Sequence, residues 1–178
     1  GFHVKINVVA MHGVVENEIL DFVALTKELP VHIRFIEFMP FEGNRWVSNK
    51  VVTAAQLLAI VHTVYTTQKL SDDPNDTAKK YIVPGHKGTF AFITTMSEHF
   101  CGTCNRLRLT ADGKIKNCLF GKEEIDLLSI MRNGGDVEPF IYKSVQRKYA
   151  VMGGQFENGY EHTEAEKLQN RSMIRIGG

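Results

Sequence analysis

The stretch VKINVVAMHGVVENEILDFVALTKELPVHIRFIEFMP, residues 4–40, decides the fold. Its first seven residues, VKINVVA, read as a buried strand, with Val4, Ile6 and Val8 on one face and Lys5 and Asn7 on the other. Residues 16–29 carry Ile19, Phe22 and Val23 at helical spacing. VHIRFIEFMP, residues 31–40, reads as a second strand stopped by Pro40. Strand, helix and strand with short joins make a βαβ unit, which places the two strands side by side and parallel. A lone βαβ unit leaves a strand edge and a sheet face unpaired. The chain is therefore expected to be the C-terminal part of a larger α/β protein.

Further along, FEGNRW (41–46) reads as a loop. Thr53 and Gln56 form a T-x-x-Q capping box ahead of Leu57, Ile60, Val61 and Val64, a helical stripe. The polar run SDDPNDTAKK, residues 71–80, is the expected domain boundary, dividing the chain into 1–70 and 71–178. Beyond it, Tyr81–Val83 and Thr89–Thr95 read as strands around the turn PGHKG, and Asp112-Gly113 as the turn of another hairpin. Residues 122–149 read as mostly helical, residues 153–161 as a glycine-containing loop, and Thr163 with Glu166 as the opening of a short last helix.

The composition is that of a globular chain, with 178 residues, 43% hydrophobic and 23% charged. A net charge of +1 gives no global basic field to attract nucleic acid. No apolar run is long enough to span a bilayer. The three cysteines are an odd number in a chain showing no secretory signal, which points to metal ligation in a reducing compartment.

Those cysteines, Cys101, Cys104 and Cys118, are spaced C-x2-C-x13-C. A tight pair and a third returned by the Asp112-Gly113 hairpin can converge on one centre. Three thiolates are one short of a closed site, so either a histidine such as His99 or His86 completes a structural zinc site, or one position stays open on an iron–sulfur cluster. Thiolates suit both, and spacing alone leaves the choice open. Arg106 and Arg108 alternate with Leu107 and Leu109, which puts both guanidiniums on one strand face just after Cys104, suited to a phosphate or carboxylate. Lys5 and Arg34 stand in the parallel strands, where a charge either points into a site at the strands' C-terminal ends or snorkels to water. Met39 ends its strand. The Gly177-Gly178 tail reads as a flexible end, as a segment narrow enough to enter an active site, or as the activated end of a ubiquitin-like sulfur carrier.

VKINVV, LDFVALTKELPVHIRFIEFMPFEGNRW, SEHFCGTCNRLRLTADGKIKNCLFG and RSMIRIGG together resemble the C-terminal half of the GTP 3′,8-cyclase family of radical SAM enzymes, which open molybdenum cofactor biosynthesis. The resemblance implies an α/β fold, with the last strands of an incomplete TIM-type barrel over 1–70. Over 71–178 it implies a mainly β extension holding a second 4Fe–4S cluster. It implies that Cys101, Cys104 and Cys118 ligate that cluster and leave one iron open for the guanine end of GTP. In the family, a 5′-deoxyadenosyl radical made from S-adenosylmethionine removes the ribose 3′ hydrogen, and the sugar then bonds to guanine C8. Asn105, Arg106, Leu107 and Arg108 match a GTP-contacting segment. Lys5 and Arg34 match basic residues of the GTP phosphate pocket, Met39 a position contacting S-adenosylmethionine, and Gly177 and Gly178 a tail needed for activity.

A homodimer is expected from the same resemblance, with cyclic pyranopterin monophosphate synthase acting downstream and no membrane or nucleic-acid partner. The expected compartment is the bacterial cytoplasm or the mitochondrial matrix. The departure is large: no C-x3-C-x2-C, the motif of the radical-generating cluster, occurs in these residues. The chain is expected not to turn over GTP by itself. The contrasting possibilities are a zinc module that binds nucleic acid or a phosphorylated partner through Arg106 and Arg108, and an iron–sulfur electron-transfer domain with a fully ligated cluster.

Overall fold

The computed structural model describes residues 2–156 and 159–176. The chain divides into two compact units, one of Gly1–Met39 with Ser48–Phe100, the other of Pro40–Val47 with Cys101–Gly178.

In the first unit, β1 (Val4–Ala10) and β2 (Val31–Glu37) pair in parallel from Val4↔Val31 to Ala10↔Glu37, joined by α1 (Val15–Glu28). This is the βαβ unit read from the sequence. The second helix, α2 (Ala54–His62), starts at the expected box: Gln56 N donates to Thr53 Oγ1 at 3.3 Å, and Thr53 N donates back to Gln56 Oε1 at 2.8 Å. Then come β3 (Gln68–Lys69), β4 (Ala78–Ile82) and β5 (Thr89–Ile93). The sheet runs β1-β2-β5-β4-β3, with β5 parallel to β2 and β4 antiparallel to β5.

Alternation sorts the sheet into two faces. Ile33, Phe35, Phe90 and Phe92 point one way and are buried with Ile19 and Val23 of α1 and Leu57 and Val61 of α2. Phe35 stacks on Phe92 at 5.6 Å between ring centres, and Tyr81 stacks on Phe90 at 5.6 Å. Two positions lock the strand ends. Gly88, just before β5, donates its N–H to Thr26 O at 2.8 Å, and a Cβ there would lie 2.4 Å from Val31 O and 2.7 Å from Leu29 O. Only glycine lets β5 enter beside β2. At the far end of β2 the buried Glu37 carboxylate accepts from Met96 N at 2.7 Å and Ser97 N at 2.9 Å, tying down the chain that leaves β5.

The second unit is built on β6 (Arg108–Leu109), β7 (Lys114–Lys116) and β8 (Ile125–Asp126), antiparallel in that order, followed by α3 (Leu127–Arg132), α4 (Glu138–Gln146) and the short α5 (Met173–Ile176). Gly113 takes φ +76° in the expected hairpin turn. The core includes Phe41, Trp46, Ile115, Phe120, Met152, Phe156 and Ile176. Phe41 stacks on Phe120 at 6.0 Å, and Phe156 meets Phe120 edge-on at 5.2 Å. The FEGNRW loop thus belongs to this unit through its aromatic residues.

Several expectations are corrected. Among the described residues β1 is the outermost strand of the sheet, with Val4 and Val9 about half exposed. Val64 lies beyond α2 and is exposed. The expected boundary after residue 70 does not coincide with the compact units: β4 begins at Ala78 inside the supposed linker and binds β5. The first unit is a mixed sheet, with β4 and β3 antiparallel beside the parallel strands β1, β2 and β5. The second unit is not mainly β, because its strands have only two or three residues each while α4 alone has nine. Residues 125–126 form β8 within the stretch read as helical. Thr163 does not open the last helix; its hydroxyl donates to Gly159 O at 2.8 Å, and Ala165–Lys167 is a single 3₁₀ turn with no side-chain cap.

Candidate cysteine and anion sites

In the second unit the C-x2-C pair is closed by a 3₁₀ turn, Cys101–Thr103, in which Cys104 N donates to Cys101 O at 3.2 Å. Cys118 follows β7 and starts its own turn, its carbonyl accepting from Gly121 N at 3.2 Å. All three are free, half-buried thiols. Burial pushes the Cys101 thiol up, and the nearby Cys118 and Cys104 push it further, against a hydrogen bond from Met152 N at 3.3 Å. For Cys104 burial acts the same way but is outweighed by bonds from the Arg106 backbone and the Lys148 ammonium, so this thiol falls below the usual range.

Cys104 and Cys118 thus both act electrostatically on Cys101. Among the described residues, however, no three His, Cys, Asp or Glu side chains are grouped so as to hold a metal ion. What the structure offers a thiophilic group is its donor chemistry: three uncrosslinked sulfurs, one of them eased toward thiolate, with cations beside them. That donor set fits an iron–sulfur cluster, whose thiolates bind separate irons and need not share a single coordination sphere. The suggested zinc ligand His86 lies in the first unit, where its Nδ1 pairs with Thr26 Oγ1 at 2.8 Å and its ring meets Tyr65 edge-on. His99 also belongs to the first unit.

Around the thiols, Arg106 and Arg108 are half-buried while Leu107 and Leu109 are exposed. The alternation is as expected, with the guanidiniums on the inner side although only Arg108 is within β6. Arg106 Nη1 donates to Cys104 Sγ at 3.7 Å. Burial and the neighbouring Arg106 lower the Arg108 pKa, while Cys118 and Cys104 act in the opposite direction. Asn105 is exposed.

Sequence reasoning missed Lys148. Its ammonium donates to Cys104 O at 2.9 Å, Arg106 O at 3.0 Å and Cys104 Sγ at 3.4 Å. Nothing in the spacing marks it, since it lies thirty positions after Cys118 in a run read only as helix.

The first unit holds a separate basic group. On the sheet face opposite the aromatic core, Lys5 is level with His32, and Asn7 with Arg34. Arg34 Nε donates to Asn7 Oδ1 at 2.8 Å, and His32 Nδ1 pairs with Thr89 Oγ1 at 2.7 Å. Burial lowers the His32 pKa, and the charges of Arg34, Lys5 and Lys80 lower it further. A cavity of about 440 Å³ is lined by Lys5, His32, Lys87 and Thr89 among others. It lies at the N-terminal ends of the parallel strands, whereas a barrel-type site was expected at their C-terminal ends. Arg34 does not line it. Met39 is half-buried two residues after β2, and Gly177 and Gly178 lie outside the described residues.

Residues 31–152 match the family model described as Molybdenum Cofactor Synthesis C. Mouse molybdenum cofactor biosynthesis protein 1 is 45% identical over 178 residues, covering 98% of this chain and 27% of that protein. The mitochondrial GTP 3′,8-cyclase of Arabidopsis thaliana is 44% identical over 179 residues, covering 98% of this chain and 44% of its own. The GTP 3′,8-cyclase of Desulforamulus reducens is 39% identical over 183 residues, covering 98% of this chain and 53% of its own. The chain thus spans roughly a quarter to a half of the relatives it matches. With its cysteine and arginine segment inside the matched region, the chain belongs to the Molybdenum Cofactor Synthesis C family.

Proposed function

We propose that this chain is the substrate-binding, C-terminal part of a GTP 3′,8-cyclase acting at the start of molybdenum cofactor biosynthesis. The observation that carries the reading is the second unit's set of three free thiols flanked by half-buried Arg106 and Arg108. Cys101, Cys104 and Cys118 would hold a 4Fe–4S cluster, which when bound supplies an open iron as an attachment point for the guanine end of GTP. Arg106 and Arg108 then bind the nucleotide's anionic part, because two guanidiniums in a half-buried setting favour a multiply charged oxyanion. Asn105 and Leu107, in the same segment, border the ligand. Lys5 and Arg34 are cations on a common sheet face and serve the phosphates. Met39 contacts S-adenosylmethionine, the Gly177-Gly178 tail completes the site, and the active protein is a homodimer in the bacterial cytoplasm or mitochondrial matrix. Its product passes to cyclic pyranopterin monophosphate synthase.

The radical chemistry belongs to the cofactors, and these residues position GTP and keep water from it. Anaerobic reconstitution with iron and sulfide, followed by metal analysis and EPR with and without GTP, tests the reading. About four irons and four sulfides per chain, as a cubane requires, with a spectrum that GTP alters, is the expected result. One zinc per chain and no response to GTP would overturn it in favour of a zinc module. GTP turnover is expected only when a polypeptide carrying C-x3-C-x2-C is supplied.

A further inference from the structure

One short segment, residues 144–152, bonds Cys101, Cys104 and the residue before Cys118. Ser144 O, in α4, accepts from Asn117 Nδ2 at 2.7 Å, and Asn117 is the residue before Cys118. Both Asn117 and Ser144 are buried, so this bond is shielded from water. Met152 N donates to Cys101 Sγ at 3.3 Å. Between them Lys148, just past the end of α4, uses its ammonium on Cys104 O, Cys104 Sγ and Arg106 O. Its own backbone is held by Lys148 N donating to Val145 O at 3.1 Å.

An ammonium has three N–H groups, and here all three have acceptors on the 104–106 segment. Two are carbonyls, so the lysine fixes the path of the chain between the second cysteine and the first arginine. The third is the sulfur. A donor and a positive charge at a ligand sulfur stabilise the more negative, reduced form of whatever iron–sulfur group that sulfur binds, and so raise its potential.

We propose that Lys148 is a positioning residue for the cysteine–arginine site, fixing the Cys104–Arg106 segment for GTP and tuning, through the Cys104 sulfur, the potential of the group the thiolates hold. The proposal rests on the cluster and GTP reading above. It adds a residue with two separable tasks: hydrogen bonding to two carbonyls, which an uncharged donor can mimic, and charge at the sulfur, which it cannot.

The test compares the full chain with Lys148→Gln, Lys148→Arg and Lys148→Met, each reconstituted anaerobically with iron and sulfide. EPR-monitored redox titration reads the potential, and the GTP-induced spectral change reads GTP affinity. Lys148→Met is expected to weaken GTP by about tenfold, the size of effect that losing a part-buried charged hydrogen bond brings, and to lower the potential. Lys148→Gln is expected to lower the potential while keeping most of the GTP affinity, and Lys148→Arg to preserve both. If Lys148→Met fails to load or fold, the Gln and Arg variants still decide. Wild-type potential and wild-type GTP affinity in Lys148→Gln, together with an unaltered or unloadable Lys148→Met, would overturn the proposal alone. A wild-type chain that takes up no iron and sulfide would overturn the underlying reading.

Discussion

Gly88 is the position where one added methyl does most damage in the first unit. A Cβ would press on two backbone carbonyls that cannot swing aside. Gly88→Ala is expected to cost about 2–3 kcal/mol, read from urea melts, as overpacking of a fixed backbone does. At the thiols, alkylation at neutral pH followed by peptide mass mapping should label Cys104 before Cys101, because Cys104 has the lowered pKa and the larger thiolate fraction. Equal rates would contradict the assigned environments. His32 is lowered in the folded state, so the unfolded chain takes up its proton first as pH falls. Its contribution to stability is present above about pH 6.5, the unfolded value, and is lost as pH drops from there toward the folded value. His32→Gln should flatten that part of the stability profile. At this scale the sequence was readable where charge alternates with leucine, as at Arg106 and Arg108. It was silent on Lys148, because its partners are backbone carbonyls and a sulfur more than forty residues away, as the Cys104 contact shows.

Elements with local signals were legible. α2 carries its start in Thr53 and Gln56, and Thr53→Ala should cost about 1 kcal/mol in a thermal or denaturant melt, the usual worth of an N-cap. The βαβ unit followed from period-2 and period-3.6 patterns in adjoining stretches. The sequence misled where a strand lacks that pattern. All five residues of β4 are half-buried, and two of them are lysines whose long stems lie along the sheet while their ends reach water or acids, as Lys80 does at Asp76, 2.7 Å away. Such a strand reads as polar linker. The valines of β1 mark it as a strand, but how far a strand is buried depends on its neighbours in the sheet, which no local pattern records.

The division of the chain was the least legible feature, because one unit borrows eight residues from between two segments of the other. Phe41 and Trp46 look like loop residues in sequence, yet both are core residues of the second unit, with Trp46 2% exposed. Trp46→Ala should destabilise that unit by about 3–5 kcal/mol, the usual cost of truncating a buried tryptophan, measurable by hydrogen exchange across β6 and β7. Residues 101–178 expressed alone should show no cooperative unfolding, and a chain that also carries 40–47 should regain it. The borrowed segment also fixes a schedule for synthesis. The first unit is complete in sequence once Phe100 has been made. Phe41, by contrast, must wait for its stacking partner Phe120, which follows Phe100 by about 1–4 s at ribosomal rates of about 5–20 residues per second. During that interval two large aromatic side chains tethered to a finished neighbour have no core of their own, and the nascent chain is then most in need of a chaperone.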